Sequence, residues 1–265
     1  MSSTGISKPT ILFNHYVNDD LEGESFVKDH IFSYIISGTH DIWSGNKMFS
    51  FKAGDYRFFK RNQLARYVKR TAPEGFRSIG VHIDQQTLKN MGEEYSLTAK
   101  GTYNGSPVAQ LRPDPSLGQY VGSLTSYITS TDAFNEAIIT LKAKELVFLL
   151  LQTQPMLKEA LFDFSDPGKI DIEAFMHTHF RYNVGLDRIA FLTGRSLSTF
   201  KRDFEKTFHT TPGKWLTQKR LEQAHYLINN ENKTPTEIYL DLGFEDLSHF
   251  SFAYKKAFGI SPSKG

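Results

Sequence analysis

The C-terminal part of this chain carries one short pattern twice, and a duplicated supersecondary unit limits the fold more than any compositional feature. The first copy runs Ile189-Ala190, Gly194, Ser196, Phe200, Phe204, Phe208, Thr211-Pro212. The second runs Ile238-Tyr239, Gly243, Asp246, Phe250, Tyr254, Phe258, Ser261-Pro262. The offset is about 50 residues, as expected for a repeated structural unit. Each copy reads as a helix, a Gly-bearing turn, a capping residue and a second helix with aromatic residues at i, i+4 and i+8. That order predicts a helix-turn-helix, and a tandem pair predicts a chain that reads DNA.

The remainder of the chain narrows the setting. Its 265 residues suit two modest domains. Hydrophobic residues at 39% against 23% charged allow real cores and argue against overall disorder. There is no cysteine, which removes disulfides, thiol redox sensing and Cys-based zinc sites and suits a reducing cytosol. The opening MSSTGISKPT lacks a basic run followed by an apolar core, so no secretion signal is expected. The longest apolar stretch, Leu146 to Leu151, is far too short to cross a membrane. We therefore expect a cytoplasmic protein with no membrane partner. The net charge of +2 is only mildly basic, so any DNA footprint must come from local placement of Lys and Arg.

The predicted fold class is α+β, with a small N-terminal β-barrel of cupin-like type over residues 10–84, helices over 85–164, and an all-α domain over 165–265. Short apolar runs such as His30–Ile36, Ile42-Trp43, Met48–Phe51, Tyr56–Phe59, Arg66–Val68 and Phe76–Ile83 alternate with turn signals, among them Ser37-Gly38, Ser44-Gly45-Asn46 and Ala53-Gly54-Asp55, a spacing that suggests a small barrel or sandwich. Gln85 to Tyr95 predicts a short helix and Ser96 to Pro115 a loop; Leu117–Ile128 and Phe134–Leu151 predict two more helices. In the last of these, Phe134, Ile138, Leu141, Leu146 and Leu149 form the expected apolar stripe, interrupted by Lys142, Lys144 and Glu145. Such a stripe can cover the barrel, form a dimer seam, or do both. Phe162 to Lys169, with its Asp-Pro-Gly turn, marks the expected boundary between residues 1–164 and 165–265.

In the first copy the buried set of the supporting helix is expected to be Leu186, Ile189, Ala190 and Leu192. Ser196 is the expected N-cap, because its hydroxyl can accept an otherwise unpaired backbone N–H. With Phe200, Phe204 and Phe208 turned inward, Ser198, Lys201 and Arg202 point outward at spacings of three and four. Arg can bind guanine O6 and N7 bidentately, Lys can approach the same edge and Ser is permissive. Lys206 is one turn further on, placed for phosphate. The second copy is chemically poorer: its outward set is Ser248, His249, Ser251 and Phe252, with Phe252 at the position of Arg202. Phe252 can touch a thymine methyl but makes no bidentate contact. Ser251, Lys255 and Lys256 remain as phosphate candidates. Between the copies, Pro212 to Asn229 predicts a helix of roughly 16 residues, about 25 Å long. That scale suits two reading helices placed near the ~34 Å turn of B-DNA. Lys219 and Arg220 on it are further phosphate candidates.

At this point the residues match a family. The stretch Leu186 to Pro262 closely resembles the DNA-binding domain of AraC/XylS-type bacterial transcription regulators. Beyond the repeated positions, the likeness is carried by Arg202, Lys219-Arg220-Leu221, Ala224, Leu227-Ile228, Thr236-Glu237-Ile238, Gly243-Phe244, Ser248-His249-Phe250 and Phe258–Pro262. The resemblance implies seven helices, two helix-turn-helices joined by a long helix, and binding to double-stranded promoter DNA, usually as an activator that contacts RNA polymerase. It maps base-facing positions onto Ser198, Lys201 and Arg202, and onto Ser248, His249 and Phe252. Two residues depart from the pattern: Tyr239 stands where alanine is usual and Phe252 where arginine is common. The N-terminal half is more loosely similar to the family's cupin-like half-barrel with dimerisation helices, which implies a homodimer. It is also similar to activators of type III secretion, in which a protein antagonist controls activity. A small-molecule effector and a protein antagonist therefore both stand as expected partners of the N-terminal domain.

An alternative is a metal-dependent cupin-like enzyme fused to a DNA-binding domain. It needs clustered His and carboxylate ligands. His15, His30, His40 and His82 are isolated in the sequence, and His177 and His179 point to different sides of a predicted helix. GxGxxG and GxxxxGK[ST] are both absent. We expect no enzyme, no metal and no cofactor. The aromatic residues of the barrel region (Phe49, Phe51, Tyr56, Phe58, Phe59, Tyr67, Phe76) are expected to fill its interior, whereas a wet cavity there would favour a small molecule.

Overall fold

The computed structural model describes residues 8–17, 20–45, 47–124 and 135–264. The chain divides into two compact units that meet between Ser165 and Asp166. The first is built from nine strands and four α-helices among the described residues: β1 (Thr10–Tyr16), β2 (Leu21–Val27), β3 (His30–Ser37), β4 (Thr39–Ser44), β5 (Lys47–Lys52), β6 (Tyr56–Phe59), β7 (Gln63–Arg70), β8 (Phe76–Ile83), α1 (Gln85–Tyr95), β9 (Val108–Leu111), α2 (Pro115–Leu124), α3 (Asn135–Thr153) and α4 (Lys158–Leu161).

The expected closed barrel does not form. The strands sort into a five-stranded sheet, β1-β8-β3-β6-β9, and a separate four-stranded sheet, β2-β7-β4-β5. Consecutive strands mostly alternate between the two layers, and β4 and β5 are the hairpin inside the second. Each sheet therefore ends in two edge strands rather than closing on itself. The segment Ser96 to Pro115, expected as loop, supplies β9, whose buried Val108 and Leu111 pair with Phe59 and Tyr56. Only the partner strand reveals that four-residue run as β-structure.

Side chains alternate along β8. Ile79, Val81 and Ile83 pack with Phe32, Phe58, Leu88, Leu117, Leu146 and Leu150 under the helices. Ser78, Gly80 and His82 face the other sheet. Each Leu, Ile or Phe fully removed from water adds about 1.5–3 kcal/mol, so this helix-covered face is the main core of the unit. The expected stripe on α3 is displaced. Ala143, Leu146, Val147 and Leu150 are buried at i, i+3, i+4 and i+7, while Leu141 is 65% exposed. Phe134 and the expected helical residues 125–128 lie outside the described residues, as does Asn46 of the expected turn.

The second unit is all helical: α5 (Ile172–His179), α6 (Leu186–Leu192), α7 (Leu197–Phe208), α8 (Pro212–Glu231), α9 (Pro235–Ile238) and α10 (Leu247–Phe258), followed by a 3-10 turn at Pro262–Lys264. Two clusters hold it together. Ile172, Met176, Ile189, Ala190, Phe200, Phe204, Trp215 and Leu216 form one; Leu221, Ala224, Ile228, Ile238, Leu242, Phe244, Phe250 and Tyr254 form the other. The helix α8 feeds its first half into one cluster and its second half into the other. It has 20 residues, longer than expected, or about 30 Å at 1.5 Å per residue. It stops where Asn232 adopts a left-handed cap, φ 55°, and donates its N–H to Leu227.

Candidate nucleic-acid interface

The first helix pair is α6 and α7. Its turn passes through Gly194 at φ +69°, where a Cβ would stand 2.4 Å from the Gly168 carbonyl. Both the backbone angle and the close approach require glycine. Ser196 then caps α7, its Oγ accepting from the Thr199 N–H at 3.2 Å. Phe200 and Phe204 are fully buried, and Phe208 is half-buried, stacked 4.3 Å from Phe204 and 4.7 Å from Trp215. This fixes the roll of α7 about its axis. Ser198, Lys201, Arg202 and Lys206 are consequently exposed. The Arg202 side chain is 76% exposed, with one weak contact to Asp203 at 3.5 Å. The Ser198 hydroxyl lies 3.1 Å from that of Ser196, so it belongs partly to the cap.

The second pair, α9 and α10, departs from the expected pattern. Its supporting helix is the four-residue α9, opened by a capping box in which the Glu237 carboxylate accepts from the Thr234 N–H at 2.7 Å. A series of turns follows. Gly243 sits at φ +80°, where a Cβ would stand 2.3 Å from the Arg181 carbonyl and 2.7 Å from Arg220 Cζ. Asp246 caps α10, accepting from the His249 N–H at 2.6 Å. Phe250 and Tyr254 are fully buried, and the Tyr254 hydroxyl lies 2.8 Å from His225 Nδ1. Ser248, His249, Lys255 and Lys256 are exposed, and Phe252 is 69% exposed. Ser251 is half-buried and less available. His249, Phe252 and Lys256 share a groove of about 760 Å³ with Lys214 and Gln218 of α8. The groove thus adds Lys214, absent from the expected set, to the cations near the second helix.

Arg220 is a correction. Expected at phosphate, its guanidinium instead donates to three backbone carbonyls: Phe180 (2.9 Å), Tyr182 (2.9 Å) and Gly243 (2.7 Å). It ties the chain before α6 to the turn before α10. Arg195 works similarly, donating to the Ile170 and Thr193 carbonyls and to Asp203 at 3.1 Å. Its hydrogen bond, and further the charge of Arg202, holds the Asp203 carboxyl below the usual carboxylate range. Nothing in the sequence separates such buttressing arginines from DNA-facing ones, because the carbonyls they serve come from distant segments. Lys219 is paired with Glu222 at 2.7 Å and half-exposed.

The histidines of α5 pack against aromatic rings. His177 packs on Trp215 and His179 stacks on Phe175. No group of three potential ligands occurs among the described residues.

Two family models match the chain: a helix-turn-helix domain over residues 189–264 and the ExsA N-terminal regulatory domain over residues 30–159. The chain is 25% identical over 229 residues to the thermoregulatory protein LcrF of Yersinia pestis, covering 85% of this chain and 81% of that protein. It is 22% identical over 234 residues to the HTH-type transcriptional regulator ExsA of Pseudomonas aeruginosa, covering 87% and 83%. Among solved structures, apo ToxT from Vibrio cholerae aligns over 97% of this chain and 96% of its own, at 11% identity and a TM-score of 0.48.

The chain belongs to the AraC/XylS family. It is a DNA-binding transcription regulator and not an enzyme. Among the described residues no helix is long and apolar enough to cross a membrane.

Proposed function

We propose that this AraC/XylS-family regulator reads its operator mainly through α7, with Arg202 and Lys201 on base edges and Ser198 beside them. The observation that carries this is the exposed i, i+3, i+4 set Ser198, Lys201, Arg202 on a helix whose opposite face is locked by Phe200 and Phe204. The pairs α6–α7 and α9–α10 act as two helix-turn-helices joined by α8. In the second, Ser248, His249 and Phe252 supply shape and apolar contact. Lys206, Lys219, Lys255 and Lys256 clamp phosphates, with Ser251 in a lesser role, and Arg220 is assigned to the fold instead.

Residues 165–265 are the DNA-binding half and residues 1–164 the regulatory and dimerisation half. The protein acts in the cytoplasm as a homodimer that activates transcription through contact with RNA polymerase. This sign of regulation is supported by relatives named as activators, among them the virulence regulon activator VirF of Yersinia enterocolitica. A ligand or protein partner at the first unit sets its activity.

The test is selection of genomic fragments on the full-length protein, with Arg202→Ala alongside at about physiological salt. A shared upstream motif that relaxes at one position in the variant is the expected result. Arg202→Ala binding the selected site as tightly as the wild type would reject the assigned reading face.

A further inference from the structure

The helices α7 and α10 present matching positions with different chemistry. In α7 the N-cap is Ser196 and the first buried ring is Phe200; in α10 they are Asp246 and Phe250. Counted from cap and core alike, Arg202 and Phe252 hold the same place on their helices. Both stand exposed, so the two helices offer a guanidinium and a phenyl ring at one equivalent point. An exposed ring gains free energy when something covers it.

The surroundings of Phe252 indicate what that is. The ring lines the groove of about 760 Å³ between α8 and α10, where Ala257 and Phe258 continue its apolar side. The facing side comes from α8 and includes Lys214, Gln218 and Glu222. Glu222 is already engaged, accepting from Lys219 at 2.7 Å and from Gln218 at 3.0 Å. Lys214 and Lys256 are exposed and make no ion pair among the described residues. The groove thus joins one apolar ring to cations from two helices, which suits a base edge lying beside backbone phosphates. Among major-groove edges only that of A·T carries a methyl group, on thymine C5. Adenine, guanine and cytosine present donors and acceptors there, which a phenyl ring would strip of water and leave unpaired. A ring at position 252 therefore favours thymine, where the arginine common in the family would favour guanine.

We propose that Phe252 reads a thymine C5-methyl in the operator segment facing α10, with Lys214 and Lys256 holding phosphates beside it. The inference deepens the DNA-reading assignment and rests on α10 entering the major groove. It divides the work of recognition: α7 selects guanine by hydrogen bonds, and α10 selects thymine by apolar contact. Lys214 joins the phosphate set from a helix that reads no base.

The test uses the duplex selected on the full-length protein, with each thymine replaced in turn by deoxyuridine. That change removes one methyl and leaves every hydrogen-bonding group in place. Binding should weaken roughly three- to fivefold at a position facing α10. The factor should hold at low and high salt, because an apolar contact releases no counter-ion. In Phe252→Ala the thymine and deoxyuridine duplexes should bind equally, with the melting temperature of the protein unchanged. Exchanging the same T·A pair for C·G should weaken binding, and 5-methylcytosine in place of that cytosine should recover roughly three- to fivefold. Lys214→Ala should instead weaken thymine and deoxyuridine duplexes alike and lower the salt slope by about 1. If no position loses its thymine preference in Phe252→Ala, the methyl contact is overturned. Full operator affinity with lost transcription in that variant would assign the ring to a protein partner instead. Arg202→Ala separates the two claims: specificity relaxed at a guanine, with no thymine preference tied to Phe252, keeps α7 as reader and rejects the role of α10.

Discussion

Two kinds of basic residue occupy the second unit, and their partners tell them apart. Lys201, Lys206, Lys255 and Lys256 are exposed, whereas the Arg195 and Arg220 guanidiniums are occupied by carbonyls. Lys255→Ala is expected to weaken binding evenly across DNA sequences and to lower the slope of log affinity against log salt by about 1. Lys201→Ala should instead cost about 1–3 kcal/mol chiefly at the cognate site. Titrating both variants against cognate and scrambled duplexes at several salt concentrations checks this; identical profiles would remove the distinction between base and phosphate contacts. Gly194→Ala introduces a Cβ at φ +69° against the Gly168 carbonyl. Backbone strain alone should cost about 1–3 kcal/mol, read as a lower urea midpoint.

The elements are set by what they pack against. In α7 the aromatic residues at i and i+4 choose the inward face, and the exposed set follows without further information. Because α8 contributes to both clusters, its Arg220 couples them. Arg220→Ala strands the carbonyls of Phe180, Tyr182 and Gly243 and should cost about 2–3 kcal/mol in the second unit. Unlike Lys255→Ala, it should leave the salt slope of DNA binding unchanged once the protein is folded. A reduced slope with unaltered stability would return Arg220 to the phosphate set. On α3, the sequence stripe and the buried stripe differ because Leu141 faces solvent while Ala143 is buried.

Across the whole molecule, acid should act unequally on the two units. The imidazoles of His30 and His40 are buried in the first, and burial together with nearby Arg charge pushes them down to about 3 and about 2. An unfolded histidine titrates near ~6.5. Above that pH neither state binds the extra proton, and the stability is fully present. As pH falls towards the folded values, only the unfolded chain protonates, so stability is lost by up to about 1.4 kcal/mol per pH unit for each residue. Scanning calorimetry of the full chain at pH 7 and pH 5 is expected to show the transition of the first unit moving down more than that of the second. The reverse order would mean that these imidazoles are not held neutral.

The repeated pattern, both N-caps, the buried Phe200, Phe204, Phe250 and Tyr254 and, apart from the half-buried Ser251, the exposed face of each helix could be read from the chain alone. They depend on contacts within a turn or two, where helical geometry converts sequence spacing directly into direction. The α+β class was legible for the same reason, since strand and helix periodicities differ. Tertiary structure alone decided the rest. Two open sheets replaced a barrel, β9 was recruited by β6, Arg220 was drawn to carbonyls from distant segments, and Arg57 was enclosed with His40 in a space left open by small residues on separate strands. Each of these is a meeting of residues far apart in the chain, and spacing along a sequence carries no information about which distant backbone or side chain will satisfy a given donor.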